Sequence, residues 1–268
     1  MKRLLLSLFL CLPVYTHAAL NIFACEPEWG ALAREIGGNS AKVYTATTAL
    51  QDPHHIEARP SLIAQMRRAD LVVCSGADLE AGWLPVLLRE AGNARVQPGR
   101  PGYFEATRYV ALLEKPVTLD RTQGDVHAAG NPHIHTDPRN IARVGAALAE
   151  RMAVIDPAGA VAYQTQWNAF STRWKEAIAR WQARAAPLKN LPVVVQHKSF
   201  SYLLAWLGMV EVATLEPKPG VEPSVAHLAR IAAQLQAKPV RAVLRAVYQS
   251  PRPADWLAQR AGIPALAL

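Results

Sequence analysis

Eight histidines stand in the sequence, and six of them fall into three groups far apart along the chain. His54 and His55 lie in Asp52-Pro53-His54-His55-Ile56-Glu57. His127, His133 and His135 lie in a Gly- and Pro-containing stretch that ends Asn131-Pro132-His133-Ile134-His135-Thr136-Asp137-Pro138. His197 follows directly on the apolar run Val193–Gln196. All three groups fall at predicted strand ends or in loops rather than on helix faces. Neutral imidazole is a borderline ligand that suits Zn²⁺ and related ions, and three histidines leave one position of a tetrahedron open. Pro53 and Pro132 fix the backbone just before a histidine and limit the entropy lost when that ring binds. Within each group the assignment stays open: His55 and His135 are alternatives to His54 and His133, as ligands or as supporting residues. His127 reads as a solvated loop residue, and His227 sits inside a predicted helix. Glu26, Glu28 and Glu216 read as ordinary polar positions near a cleft, and Asp52 and Asp137 as turn or cap residues.

Three histidines with an open position also serve catalysts, so a secreted zinc-dependent hydrolase is the alternative function. The sequence has neither an H-E-x-x-H helix nor a G-x-S-x-G elbow, and Glu57 is the one nearby candidate for a general base.

The elements that must position these residues alternate. Strands are predicted at Leu20–Cys25, Ala41–Thr48, Asp70–Cys74, Pro192–Gln196, Val210–Leu215 and Val240–Tyr248. Helices are predicted at Trp29–Ile36, Pro60–Arg68, Trp83–Glu90, Asn140–Met152, Phe200–Leu207, Val225–Ala237 and Pro253–Arg260. Continuously apolar strands between helices imply an α/β fold with mostly parallel sheets covered on both faces, and ligands in such sheets sit at the strands' carboxyl ends. Residues 101–135 interrupt the alternation and read as a hairpin or loop excursion. Between Ala158 and Ala186, Tyr163, Trp167, Phe170, Trp174, Ile178, Trp181 and Ala185 recur every three or four residues, one face of a helix long enough to span two lobes. Trp29, Trp83, Trp206 and Trp256 read as core. Ala265–Leu268 looks like the beginning of a strand.

The chain of 268 residues is 51% hydrophobic with a formal charge of +8, which is ordinary globular composition. No clustered basic stripe is present, so no nucleic-acid partner is expected. Lys2-Arg3, the apolar run Leu4–Val14 and Thr16-His17-Ala18 have the order of a cleaved secretory signal covering residues 1–18. Cys11 lacks the small residue expected before a lipidated cysteine, so the expected product is soluble and periplasmic. Cys25 and Cys74 remain, either as one disulfide or as two buried thiols.

Several segments together resemble the zinc- and manganese-binding substrate-binding proteins of bacterial ABC importers, the cluster A-I zinc-uptake group. They are Asp52-Pro53-His54 with Glu57 and Arg59-Pro60-Ser61; Ala69-Asp70-Leu71-Val72-Val73; Asn131-Pro132-His133 with Asp137-Pro138-Arg139-Asn140; Gln196-His197-Lys198-Ser199-Phe200-Ser201-Tyr202; and Glu222-Pro223-Ser224. The resemblance runs from about residue 20 to the end. It implies an N-terminal lobe (19–157), a linking helix (158–186) and a C-terminal lobe (187–268). It implies metal ligands at His54, His133 and His197, with Zn²⁺, or alternatively Mn²⁺, as the transported ligand. It also implies an ABC permease as partner, a monomer, and no enzymatic activity. Against the family pattern the second lobe reads as short by a strand, a helix and a carboxylate ligand. The fourth position then falls to water or to a carboxylate such as Glu57 or Glu222. The long His- and acid-rich loop of many zinc-specific members is missing.

Overall fold

The computed structural model describes residues 18–116, 124 and 127–268; the secretory signal expected at residues 1–18 lies outside the described residues, apart from Ala18. Two four-stranded parallel sheets carry the molecule. In the first, β1 (Leu20–Ala24) lies between β2 (Ala41–Thr45) and β3 (Leu71–Cys74), and β4 (Tyr103–Glu105) extends the edge beyond β3. In the second, β5 (Pro192–Val195) lies between β6 (Val210–Thr214) and β7 (Ala242–Arg245), with β8 (Ala265–Ala267) beyond β7. The two orders, β2-β1-β3-β4 and β6-β5-β7-β8, are the same topology used twice. Ile22 lies opposite Val43 and Leu71 in one sheet and Val193 opposite Glu211 and Ala242 in the other, where the β5–β6 register shifts by one residue between Val193 and Val194. Leu71–Cys74 and Val193–Val195 are wholly buried, as strands covered on both faces must be.

Helices α1 (Pro27–Gly37), α2 (Pro60–Arg68), α3 (Leu84–Ala91) and α4 (Pro138–Ile155) flank the first sheet; α6 (Ser201–Leu207), α7 (Val225–Ala237) and α8 (Arg252–Ala261) flank the second. Proline in the first turn opens α1, α2, α3, α4 and α8, where a missing N–H costs nothing. Asp137 caps α4 by accepting from the Arg139 N–H at 2.8 Å, and Ser224 caps α7 by accepting from His227. The predicted elements all form, most within two or three residues of their expected ends.

Helix α5 (Ala160–Ala185) joins the lobes. Its aromatic stripe does something more specific than bridge them: Tyr163, Trp167, Phe170 and Trp174 pack on the core of the first lobe. Tyr163 donates to Asp156 at 2.5 Å beyond the end of α4, and the Trp174 indole donates to the Pro138 carbonyl at its start, so α5 lies back along α4. Trp181, 39% exposed, leans edge-on against Trp174.

Two expectations are corrected. Within the 101–135 stretch, expected to be a hairpin or loop excursion, Tyr103–Glu105 pairs parallel with β3, a strand too short to show a period in sequence. The strand expected to begin at Ala265 does form, Ala265–Ala267 making a ladder with Val243–Arg245. Trp29 and Trp83 are fully buried, but Trp206 and Trp256 are only half-buried, and Trp256 carries the Arg260 guanidinium over its ring.

The lobes are stitched together beside the crevice. Tyr202 of α6 is buried in the first lobe's core, its hydroxyl donating to the Asn131 carbonyl at 2.7 Å and accepting from the Leu113 N–H at 3.0 Å. Glu114 accepts from Asn131 Nδ2, Ser201 Oγ and Lys198 Nζ. Burial raises the Glu114 pKa, and these donors outweigh it and hold the carboxyl below its usual value.

Cys25 and Cys74 form a disulfide linking the ends of β1 and β3, with Cα atoms 4.8 Å apart and a sequence separation of 49. Closing a loop of that length removes about 4 kcal/mol of chain entropy from the unfolded state. Peptide mapping after alkylation without reductant is expected to find neither cysteine labelled, and reduction is expected to lower Tm by about 10 °C.

Candidate metal centre

The carboxyl ends of both sheets face one crevice, and three loops deliver histidines into it. His54 lies in the loop after β2. The Trp83 indole donates to the Pro53 carbonyl at 2.9 Å and fixes that turn from below. Asp52 accepts from the His54 backbone N–H at 3.0 Å, the turn role read from sequence, and the same oxygen lies 2.7 Å from His54 Nδ1. Burial raises the Asp52 pKa, but the His54 contacts override it and hold the carboxyl low.

His133 is 2% exposed. Asn131 Oδ1 accepts from its backbone N–H at 2.9 Å, and the Asn131 amide spans to the Lys198 carbonyl of the other lobe at 2.7 Å. The His133 Nε2 atom is buried and finds no hydrogen-bond partner among the described residues. Burial first, and then the neighbouring His197 and His54 rings, hold His133 well below the ordinary histidine pKa, so the ring is neutral at pH 7.

His197 follows β5, and its Nδ1 lies 2.7 Å from Glu216 Oε2. Glu216 stands just beyond β6, is held by its N–H to the Gln196 carbonyl, and accepts from the Gly220 N–H at 2.8 Å. Each of His54, His133 and His197 places one ring nitrogen within 4.8 Å of the others. The sequence-derived trio therefore does converge on one point.

The alternatives do not share that point. His55 is exposed, its ring 6.1 Å from His54. His135 Nδ1 lies 3.1 Å from Glu28 Oε1. Glu57 and Glu222 are exposed, and neither joins the three-histidine group. His227 is in α7, with Nδ1 3.0 Å from an Arg230 nitrogen.

Two readings of loop and acidic residues are overturned. His127 is not simply solvated: its Nε2 stands 3.3 Å from His54 Nε2. Glu216 is not an ordinary polar position, because it orients His197. Its place directly after a strand, matching Glu26 after β1, was the available signal. For His127 the signal was its glycine-bounded loop, Gly124 to Gly130, entering a segment that already held two histidines.

A second acidic cluster lies beneath the crevice. Glu26 and Glu80 are 2% and 3% exposed. Ser75 and Gly76 N–H groups donate to Glu80, and Ser75 Oγ to Glu26. Burial, then the Glu80 and Glu28 charges, push the Glu26 pKa well up; burial lifts Glu80 to about 7. Both carboxyls therefore keep their protons to a higher pH than an exposed glutamate does. A cavity of about 530 Å³ opens next to them between the lobes, lined by Thr47, Pro53 and His133 on one side and Phe200, Leu203 and Tyr248 on the other.

A two-lobed α/β protein with a histidine cluster at the facing strand ends is, as a class, a binding protein that holds a small ligand in its crevice. Residues 22–268 match the family described as zinc-uptake complex component A, periplasmic, and the chain belongs to that family, one of substrate-binding components of metal ABC importers rather than enzymes. The zinc-binding lipoprotein AdcA of Streptococcus pneumoniae is 22% identical over 234 residues, 86% of this chain and 46% of AdcA, so the chain spans about half of that relative's length. The metal ABC transporter substrate-binding lipoprotein SloC of Streptococcus mutans is 21% identical, covering 100% of this chain and 89% of SloC. Among solved structures, a crystal structure of ZnuA superposes with a TM-score of 0.77 at 21% identity, over 92% of this chain and 89% of that one. The Pseudomonas aeruginosa binding protein FpvC, solved in complex with Mn²⁺, gives 0.76 at 24% identity, over 93% and 88%. The hydrolase alternative finds no counterpart among these relatives.

The two raised carboxyls set a pH dependence of stability. Unfolded carboxyls lose their protons near pH 4.5, whereas folded Glu80 keeps its proton until about pH 7. The native state therefore binds more protons over that window, and its stability falls as pH rises through it. Thermal melts of the metal-free protein from pH 4.5 to 8 are expected to show that decline. Glu26→Gln, which replaces one buried ionisable carboxyl by a neutral amide, is expected to flatten it and to raise Tm at pH 8.

Proposed function

We propose that this chain captures Zn²⁺ outside the cytoplasmic membrane and delivers it to an ABC permease, with His54, His133 and His197 as ligands. The observation that carries the reading is the convergence of three ring nitrogens from three separate loops and two lobes. Two of the rings have Nδ1 against a carboxylate, Asp52 or Glu216, and the third leaves a buried nitrogen without a partner. A carboxylate at one ring nitrogen fixes the tautomer and turns the other lone pair toward the ion. It also occupies the two carboxylates closest to the rings, so the ion meets nitrogen rather than oxygen. That favours Zn²⁺ over Mn²⁺, which prefers oxygen-rich sites. The Mn²⁺ and Ni²⁺ complexes of FpvC belong to that protein; for this chain Mn²⁺ is the secondary ligand.

The export-type leader and the disulfide support an extracytoplasmic location. Relatives named as lipoproteins make an anchored form the alternative to a free periplasmic one. A monomer suffices for this site, since all three histidines come from one chain.

Calorimetry is expected to find Zn²⁺ binding lost or weakened at least about a hundredfold in His54→Ala, His133→Ala and His197→Ala, and unchanged in His227→Ala. Affinity is expected to fall as pH drops below about 6.5, because each ligand must be neutral to bind. A competition titration in which Mn²⁺ displaces equimolar Zn²⁺ overturns the zinc assignment. Glu216→Gln is expected to keep the fold and weaken Zn²⁺ binding by about 10–100-fold, the usual cost of removing a ligand's orienting partner.

A further inference from the structure

We infer that His127 is the fourth ligand of the captured cation, closing an all-imidazole tetrahedron with His54, His133 and His197. The inference rests on the three-histidine reading above and assigns the position that reading leaves open.

The geometry comes first. An ion with Zn–N bonds of about 2.0–2.1 Å holds any two tetrahedral nitrogens about 3.3–3.4 Å apart and their ring centres about 5.2 Å apart. His54 Nε2 and His127 Nε2 are 3.3 Å apart. The ring centres of His127, His133 and His197 lie 5.4, 5.4 and 5.5 Å from that of His54, and His133 and His197 lie 5.3 Å from each other. His127 and His133 are farther apart, at 6.4 Å, and His127 stands outside the group of three whose ring nitrogens lie within 4.8 Å of one another. An inward movement of His127 of about 1 Å toward His133 brings that pair to the ideal spacing.

Asp52 against Nδ1 leaves the His54 Nε2 as a lone pair facing the His127 ring. Two nitrogen lone pairs at 3.3 Å repel, so the line between them holds either a proton or a cation. Gly124 and Gly130, on either side of His127 in sequence, are each closely seated. At Gly124 a Cβ would come within 2.2 Å of the Pro219 carbonyl of the second lobe. At Gly130 (φ +119°) it would come within 2.8 Å of the Leu113 carbonyl. Only glycine allows both approaches. Between them the chain turns on the Gly130 N–H to the His127 carbonyl, and the Asn131 N–H anchors to Leu113. His127, His133 and His197 share the walls of a cavity of about 100 Å³, room for an ion.

Four imidazoles make the site a selector for borderline divalent ions and place Mn²⁺, which prefers oxygen ligands, second. The test uses the full chain and its His127→Ala and His127→Gln variants, with Zn²⁺ and Co²⁺ as probes. Zn²⁺ affinity is expected to fall at least about tenfold in both variants. X-ray absorption of the Zn²⁺-loaded chain is expected to report four imidazoles in the wild type and three in the variants, and the Co²⁺ visible bands are expected to shift. Unchanged affinity and spectra in both variants overturn the inference, as does a wild-type spectrum with three imidazoles and a water. If the wild type takes up neither ion, the three-histidine reading itself fails. If His54→Ala abolishes binding while His127→Ala leaves it intact, only the fourth ligand is lost.

Discussion

The structure depends on a constraint of imidazole chemistry. A ring buried in a crevice has two nitrogens, and each must be given a proton to donate or an acceptor to face. His54 and His197 meet it with carboxylates at Nδ1, which decides the tautomer and turns both remaining nitrogens inward. His133 meets it only halfway, with Nε2 buried and unpartnered among the described residues. An orphaned buried nitrogen costs about 1–3 kcal/mol. That cost is tolerated where a ligand is due to occupy the position, and it is compounded by rings close enough to depress each other's protonation.

Holding such rings within a few ångströms takes a scaffold that brings distant loops to one place. Two copies of one parallel topology do this, because each sheet ends its strands toward the crevice and the histidines follow those ends. The relation between the copies is set at more than the linking helix. Tyr202 inserted in the first lobe's core, and Glu114 shared by Asn131, Ser201 and Lys198, tie the second lobe to the loop that carries His133. A shift between lobes would break a buried, charge-assisted network, and such networks are costly to leave half-made. The crevice is therefore pre-arranged, and little ordering is left for a ligand to impose.

Beneath it, the carboxyl ends of β1 and β3 combine a disulfide with two buried acids. Burial and mutual repulsion make it costly for Glu26 and Glu80 both to ionise in that setting, which is why both pKa values are raised. The backbone N–H groups of Ser75 and Gly76 supply donors that the end of a parallel strand leaves free. The acids thus satisfy the sheet's own terminus, which gives them a structural role separate from the histidines above.

How much of this is legible in sequence follows from how each part is encoded. Strands such as Leu71–Cys74 and helices such as Val225–Ala237 announce themselves by apolar runs and periodicity, and they lie where those patterns place them. Tyr103–Glu105 does not, because three residues carry no period and its parallel partner is nearly thirty residues upstream. The histidine trio was readable because histidine is rare enough for three groups to stand out. The acids that orient it were not. Asp52 looked like a turn residue, and it is one; the same oxygen that closes the turn also meets the ring. Glu216 looked like an ordinary polar position near a cleft, and only the pairing of β5 with β6 reveals that the residue beyond one strand faces the residue beyond the other. His127 was harder still, since its position depends on close backbone approaches at Gly124 and Gly130 to segments from two different lobes. Residues that orient the histidines are specified by tertiary register, so the chemistry of a site is visible in one dimension before the geometry that tunes it.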